Sequence, residues 1–200
     1  KILQNRFYQL RLPELNVGDI ISASVTHLEN FGVFCDIGCG INALLPIDNI
    51  SVSRIPHPNV RFSVGDEIKV IIKDIDEDNR VTLSHKELLG TWEENAKEFS
   101  VGETVSGIIR SVENYGIFIE LAPNLAGLAE YTSNVEVGQH ASVYIKSIIP
   151  EKMKIKLIII DSFDTGYTPQ LNYFYSGGSI PQWDYSPKDC HKQITTKFCS

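Results

Sequence analysis

Residues 16–46 read NVGDIISASVTHLENFGVFCDIGCGINALLP, and residues 100–130 read SVGETVSGIIRSVENYGIFIELAPNLAGLAE. The two stretches align without a gap at an offset of 84, and identical residues include a glycine at position 32 and a phenylalanine at position 34 of the first copy. A gapless match of this length predicts an internal duplication, and a duplication constrains the fold more than any single motif does.

The later halves of the two copies also match. Residues 62–76 read FSVGDEIKVIIKDID and residues 135–149 read VEVGQHASVYIKSII, now at an offset of 73. The first copy therefore holds 11 additional residues in its middle, around positions 51–60.

Each copy has the pattern of short strands divided by turns. In the first copy we predict strands at residues 19–28, 32–37, 41–45, 67–75 and 80–84. Five short antiparallel strands, with a longer excursion after the third, are typical of a small OB-type barrel. The sequence thus predicts a mostly β protein with two tandem five-stranded OB-fold barrels, at residues 16–88 and 100–161.

A short helix is predicted between the two barrels, in the sequence KELLGTWEENAKEF at residues 86–99. Thr91 and Glu94 have the spacing of a capping box, and Trp92, Ala96 and Phe99 fall on one helical face. We therefore expect a linker at residues 89–99 that docks one barrel against the other. Residues 1–15 align with this linker at the same offset, which predicts a linker helix from a further repeat upstream.

The C-terminal segment, residues 162–200, has no helical period but is rich in aromatic residues, proline and glycine. Aromatic residues are depleted in disordered segments. We expect an irregular extension that packs on the second barrel, where the 11 missing residues leave an opening to cover.

The net charge of the chain is −7, which differs from the basic character of most nucleic-acid-binding proteins. Residues 16–90 carry −5 and residues 100–161 carry −2, so neither predicted barrel is basic. Binding to nucleic acid would then depend on local cations and on base stacking rather than on global attraction.

Two aromatic positions recur on the solvent side of the predicted barrels. Strand alternation directs Val33 and Cys35 to the core and leaves Phe34 outside, and Phe118 takes the same place in the second copy. Phe31 and Tyr115 lie at the preceding turns, and Arg80 points outward at the start of the fifth strand. Exposed aromatic rings beside an arginine suit base stacking with a phosphate contact. The alternative is that Phe34 and Phe118 are covered by the linker, the tail or another repeat.

At these residues the sequence resembles the S1 RNA-binding motif of the bacterial ribosomal protein S1 family. The resemblance lies in VGD, ENFGVF and VGDEIKV, in DID followed by NRVTLSHK, in RIPHP at residues 54–58, and in the inter-repeat sequence GTWEENAKEF. It covers about residues 16–160 and leaves the tail outside. The resemblance implies that single-stranded RNA is a partner and that the ribosome is a further expected partner.

The family's binding face consists of an aromatic pair, a histidine and an Asp-x-x-x-Arg sequence. The resemblance assigns RNA binding in the first copy to Phe31, Phe34, Asp76 and Arg80. In the second copy it assigns Tyr115 and Phe118, with Lys154 at the basic position after a one-residue shift from Met153. The histidine position holds Pro46 in the first copy and Glu130 in the second, and Ile149 replaces the aspartate. The face is thus incomplete in both copies, and more so in the second.

Other chemistry has weak support in the sequence. Cys35 and Cys39 lack zinc-knuckle spacing, and the acidic stretch at residues 74–78 lacks the glycine and closing glutamate of a calcium loop. No nucleophile lies on a recognisable catalytic elbow. We expect no enzyme activity, no cofactor, no metal, no small-molecule substrate and no membrane association. Four cysteines in a chain of this length favour a reducing cytoplasm.

Three functional hypotheses remain open from the sequence alone. The first is an RNA-binding protein of translation or mRNA handling. The second is a protein-interaction scaffold that keeps the barrels but uses the aromatic face for protein, which the acidic charge favours. The third is an accessory module of a ribonuclease whose catalytic domain lies elsewhere.

Overall fold

The computed structural model describes residues 15–38, 40–164 and 171–198. Two compact units are present, and the division falls between Leu89 and Gly90. The predicted linker at residues 1–15 lies outside the described residues, apart from Leu15, and so does Cys39. None of the described helices is long and apolar enough to cross a membrane.

The first unit contains a closed barrel of five strands in the order β1-β2-β3-β5-β4. The strands are β1 Ile20–Glu29, β2 Gly32–Asp36, β3 Asn42–Pro46, β4 Glu67–Ile75 and β5 Val81–Ser84. Alternate aliphatic side chains fill its interior, among them Val25, Val33, Cys35, Leu45, Val70, Ile72 and Leu83. The predicted barrel is therefore confirmed.

The second unit repeats this architecture with the strand order β10-β8-β7-β6-β9. Its strands are β6 Thr104–Glu113, β7 Gly116–Ala122, β8 Leu125–Ala129, β9 His140–Ile149 and β10 Lys154–Phe163. The interior is again aliphatic, with Ile109, Ile117, Ile119, Leu125, Val143, Ile145 and Ile155 buried.

Two short strands near the C-terminus, β11 Gln182–Asp184 and β12 Thr195–Lys197, pair with each other.

The helix between the barrels in the chain, α1, spans Trp92–Ala96. Its capping box forms as predicted, because the Glu94 N–H donates to Thr91 Oγ1 at 3.2 Å and the Thr91 N–H donates to Glu94 Oε1 at 3.1 Å. Trp92 and Ala96 are buried, whereas Phe99 lies beyond the helix end and is half-buried. The helix belongs to the second unit.

The tail divides between the two units instead of packing only on the second barrel. Residues 173–183 and 195–198 belong to the first unit, where the Phe174 N–H donates to Leu88 O at 2.8 Å. Residues 184–194 belong to the second unit, where the buried Tyr185 hydroxyl donates to Asn124 O and the Trp92 N–H donates to Tyr185 O at 3.0 Å. The sequence expectation did not include the part that returns to the first barrel.

A buried histidine fixes part of this tail to the first barrel. His85 Nδ1 lies 2.8 Å from the Ile50 carbonyl, which can only accept, so this nitrogen carries the hydrogen. Nε2 then accepts from the Tyr173 hydroxyl at 3.0 Å, and the rings of Phe62 and Tyr173 pack edge-on against the imidazole. Burial lowers the pKa of His85 to about 4, so the ring is neutral near pH 7.

The turn between β4 and β5 is organised by Asp76. One carboxylate oxygen accepts from the Arg80 N–H at 2.8 Å and from the Asp78 N–H at 2.9 Å. These bonds hold a turn in which Asn79 adopts a left-handed conformation, with φ of 62°. By accepting from the Arg80 backbone N–H, Asp76 therefore fixes the position from which the Arg80 side chain leaves the hairpin.

His85 makes the stability of the first barrel depend on pH. Its pKa is about 4 when folded and about 6.5 when unfolded, so the unfolded chain binds more protons between these values. We expect acidification across this window to lower the free energy of unfolding by up to about 3 kcal/mol. Denaturant unfolding of the wild type and of His85→Gln at several pH values measures the difference. Equal pH slopes for the two proteins would contradict this assignment.

Asp76 provides a test of the turn. Asp76→Ala removes both hydrogen bonds and should lower the free energy of unfolding by about 1 kcal/mol. Asp76→Asn keeps a side-chain oxygen acceptor and should retain most of that stability, as the matched control. Equal losses in the two variants would show that the charge, rather than the acceptor, stabilises the hairpin.

Candidate nucleic-acid interface

The first barrel displays a pair of aromatic rings at the start of β2. Phe31 is 55% exposed and Phe34 is partly exposed, with ring centroids 6.0 Å apart and planes at 88°. A Cβ on Gly32 would lie 2.5 Å from Leu45 O, so only glycine lets β2 approach β3 this closely. The backbone thus holds both rings on the outside while Val33 fills the core.

The second barrel repeats the pair with nearly the same geometry. Tyr115 is 71% exposed and Phe118 is partly exposed, with centroids 6.1 Å apart and planes at 81°. Ile117 and Ile119, on either side of Phe118, are fully buried. Exposed rings thus recur at equivalent positions of two separate barrels.

A histidine that was not among the sequence candidates joins the first pair. His27 lies opposite Phe34 on β1, with ring centroids 6.1 Å apart, and its Nε2 lies 2.6 Å from Glu29 Oε1. The tight turn after Glu29 sets this register, so counting back from Gly32 could have found it. Position 111 of the second barrel is a serine, so that barrel lacks the ring.

Strand pairing places Arg80 relative to the aromatic rings. Phe34 pairs with Leu44 on β3, and Leu44 pairs with Thr82 on β5. Arg80 lies two residues before Thr82 on the same side of the strand and is exposed. The path from Phe34 to Arg80 crosses two inter-strand spacings of about 4.8 Å each and then runs two residues along the chain, about 6.7 Å. Their Cα atoms are therefore about 12 Å apart. An extended arginine side chain spans much of that distance.

The same pairing in the second barrel assigns its basic position. Phe118 pairs with Leu128, and Leu128 pairs with Lys156 on β10. Lys154 therefore occupies the place of Arg80, because it precedes Lys156 by two residues. Met153 lies in the preceding turn in a left-handed conformation, with φ of 48°. Lys156, in the place of Thr82, adds a second exposed cation.

Glu120 departs from what strand alternation predicts for this face. Alternation from Phe118 would direct Glu120 to water, but its side chain is 0% exposed. Arg110, on the neighbouring strand β6, donates to Glu120 at 2.9 Å and is itself largely buried. The first barrel has Thr26 in place of Arg110 and a partly exposed Asp36 in place of Glu120. The second barrel thus neutralises a carboxylate that would otherwise lie near its aromatic pair.

The other positions that the resemblance names lie at or just beyond the ends of strands. Pro46 pairs with Gly32 at the end of β3, and Glu130 is exposed just after β8. Asp76 holds the turn, as described above. Cys35 is buried in the core, and burial raises the pKa of its thiol to about 12. In the described part of the chain, no three His, Cys, Asp or Glu residues lie close enough together to hold a metal ion.

Comparison with known proteins agrees with this geometry. Residues 14–86 match the family described as the S1 RNA binding domain. The chain is 34% identical over 161 residues to the small ribosomal subunit protein bS1 of Staphylococcus aureus, and the same values hold for bS1 of Staphylococcus epidermidis. The match covers 74% of this chain and 41% of each relative, so the chain spans about two fifths of their length.

Among solved structures, GSP13 from Bacillus subtilis aligns at 28% identity, covering 35% of this chain and 55% of that chain with a TM-score of 0.34.

The domain match falls on the first barrel, and the internal duplication extends the same sequence pattern to the second. The chain belongs to the S1 RNA-binding domain family.

Proposed function

We propose that this protein binds single-stranded RNA on the outer faces of its two barrels and acts in translation or mRNA handling. The observation that carries the proposal is the exposed aromatic pair, which recurs with centroid distances of 6.0 Å and 6.1 Å. Exposed aromatic rings cost solubility and contribute little to packing, and base stacking gives them a function.

Single strands fit this face better than duplexes do. The bases of an RNA duplex are stacked on each other, and proteins recognise the duplex mainly by its shape and backbone. An unpaired base can leave its neighbours and lie against Phe34 or Phe31. The net charge of −7 disfavours the extensive phosphate contacts that duplex binding requires.

Each face also offers a cation near the rings. Arg80 serves the first barrel, and its planar guanidinium can contact a phosphate through two hydrogen bonds. Lys154 and Lys156 serve the second barrel as point charges. His27 adds a further ring to the first face. We therefore expect the first barrel to bind RNA more strongly than the second.

The cellular role is inferred from the relatives. The bS1 relatives are named as proteins of the small ribosomal subunit, and the first barrel matches an RNA-binding domain. We infer that this chain associates with mRNA or with the ribosome in the cytoplasm. The scaffold hypothesis rests on the acidic charge and predicts that the same faces bind protein instead.

The direct test is fluorescence anisotropy with a short single-stranded RNA and a duplex of the same sequence, at two salt concentrations. We expect micromolar binding of the single strand, weaker binding of the duplex, and a shallow salt dependence from few phosphate contacts. Absence of single-strand binding at micromolar protein would contradict the proposal and favour the scaffold.

The two barrels should contribute unequally. Phe34→Ala should weaken binding by about one to two orders of magnitude, since stacking of one base contributes about 1–3 kcal/mol. Phe118→Ala, the matched change in the second barrel, should weaken it less, because that barrel lacks the His27 ring and has lysine in place of Arg80. Titration of both variants with one oligonucleotide measures the difference. Equal losses would contradict the asymmetry.

A further inference from the structure

The second barrel has an open groove beside its aromatic pair. The groove has a volume of about 680 Å³. It is lined by residues 129–132, 134 and 135 at the end of β8 and after it, by residues 156–162 of β10, and by Lys146 of β9. Leu128 and Tyr115 also line it, and Tyr115 is one ring of the aromatic pair. All of these residues belong to the second unit.

In the first barrel the chain between β3 and β4 covers the equivalent strand edge. His85 contacts the Ile50 carbonyl and the Phe62 ring there, and Ile50 and Phe62, which flank the additional residues in sequence, are both buried. Just past β5, the His85 N–H donates to Asn49 O at 2.9 Å, so this segment also satisfies the backbone beyond the strand. Since Thr82 corresponds to Lys156, the residue that corresponds to His85 is Ile159.

In the second barrel the corresponding strand edge is open. β10 pairs with β8 at Lys156 and Leu157. Beyond Leu157 it continues to Phe163, paired with β9 on its other side. Ile158 and Ile160 are 48% and 58% exposed, and Tyr131 is 55% exposed. The shorter connection after β8 thus leaves both the edge and its apolar side chains accessible.

The groove is continuous with the proposed RNA-binding face. Tyr115, Leu128 and Lys156 line the groove and also belong to the row that runs from the aromatic pair to the basic position. A strand stacked on Tyr115 therefore has a path into the groove. Lys146 and Lys156 are cations on that path, and both are exposed.

We propose that this groove is an additional RNA-binding subsite, present in the second barrel and absent from the first. The proposal rests on the proposed function, because it extends the path of the same single strand. Bases lie against Tyr131 and the exposed isoleucines, and the phosphates lie towards Lys146 and Lys156. Glu130 and Asp161 also line the groove, and their repulsion of phosphate favours a path on which the phosphates lie nearer the two lysines than these carboxylates.

The subsite gives a reason for the incomplete face of the second barrel. That barrel lacks the histidine ring and the arginine of the first, but it has Tyr131 and also Lys156 in place of Thr82, while Lys146 corresponds to Lys73 of the first barrel. Contacts in the groove would then carry part of its affinity, which is consistent with a small effect of Phe118→Ala.

An NMR titration of the full chain with an oligouridine of about ten nucleotides tests the subsite, since that length exceeds what one aromatic pair can hold. We expect amide shifts near Phe31, Phe34 and Phe118, and also at Tyr131, Ile158 and Ile160. Shifts at the aromatic pairs without shifts in the groove would overturn this inference and leave the proposed function standing. Absence of shifts at every one of these residues would overturn the proposed function itself.

A variant pair gives a second measurement. Tyr131→Ala should weaken binding of the same oligonucleotide by about tenfold, since one stacked base is lost. Tyr144→Ala is the matched control, because Tyr144 is an exposed tyrosine of the same barrel that does not line the groove. Equal affinities for Tyr131→Ala and the wild type would overturn the inference, and would leave the groove to a different ligand such as an extended peptide.

Discussion

Closure of each barrel by a parallel strand contact determines the rest of this structure. In the first barrel the contact joins Leu44 to Thr82, and in the second it joins Leu128 to Lys156 and Ala129 to Leu157. Closure removes the open edges between these strands and encloses a narrow interior that aliphatic side chains fill. Because side chains alternate along each strand, the same contact fixes which residues form the outer row. The closing contact therefore determines how the aromatic pair and the basic position are arranged.

The two closed barrels differ in what covers the strand edge beyond the closing contact. The first copy covers the region beyond β5 with its additional residues and with Tyr173 of the tail, which bonds to the buried His85. The second copy continues β10 past the closing contact and leaves Ile158 and Ile160 exposed. The two copies thus differ in whether the strand edge beyond the closing contact is covered, and the difference lies in a connection rather than in the strands.

The strands, the capping box and the outward aromatic residues could be predicted because each depends on local periodicity. For the basic position of the second barrel the sequence offered Met153 or, after a one-residue shift, Lys154, because the turn before β10 shifts the count. The pairing of Lys156 with Leu128 fixes the register of that strand. The burial of Glu120 depends on Arg110 from a neighbouring strand, and alternation within one strand contains no such information. The division of the tail depends on contacts distant in sequence, such as Phe174 with Leu88. His27 was readable from the hairpin register but was missed.

If the aromatic pair of the first barrel serves binding and not folding, removal of both rings should lower affinity and leave stability nearly unchanged. The direct measurement compares the free energy of unfolding and the affinity for single-stranded RNA of the wild type and the double variant Phe31→Ala/Phe34→Ala. We expect a stability change below about 1 kcal/mol, as for exposed positions, with affinity reduced more than tenfold. A variant that loses several kcal/mol of stability, or that binds RNA like the wild type, would contradict this expectation.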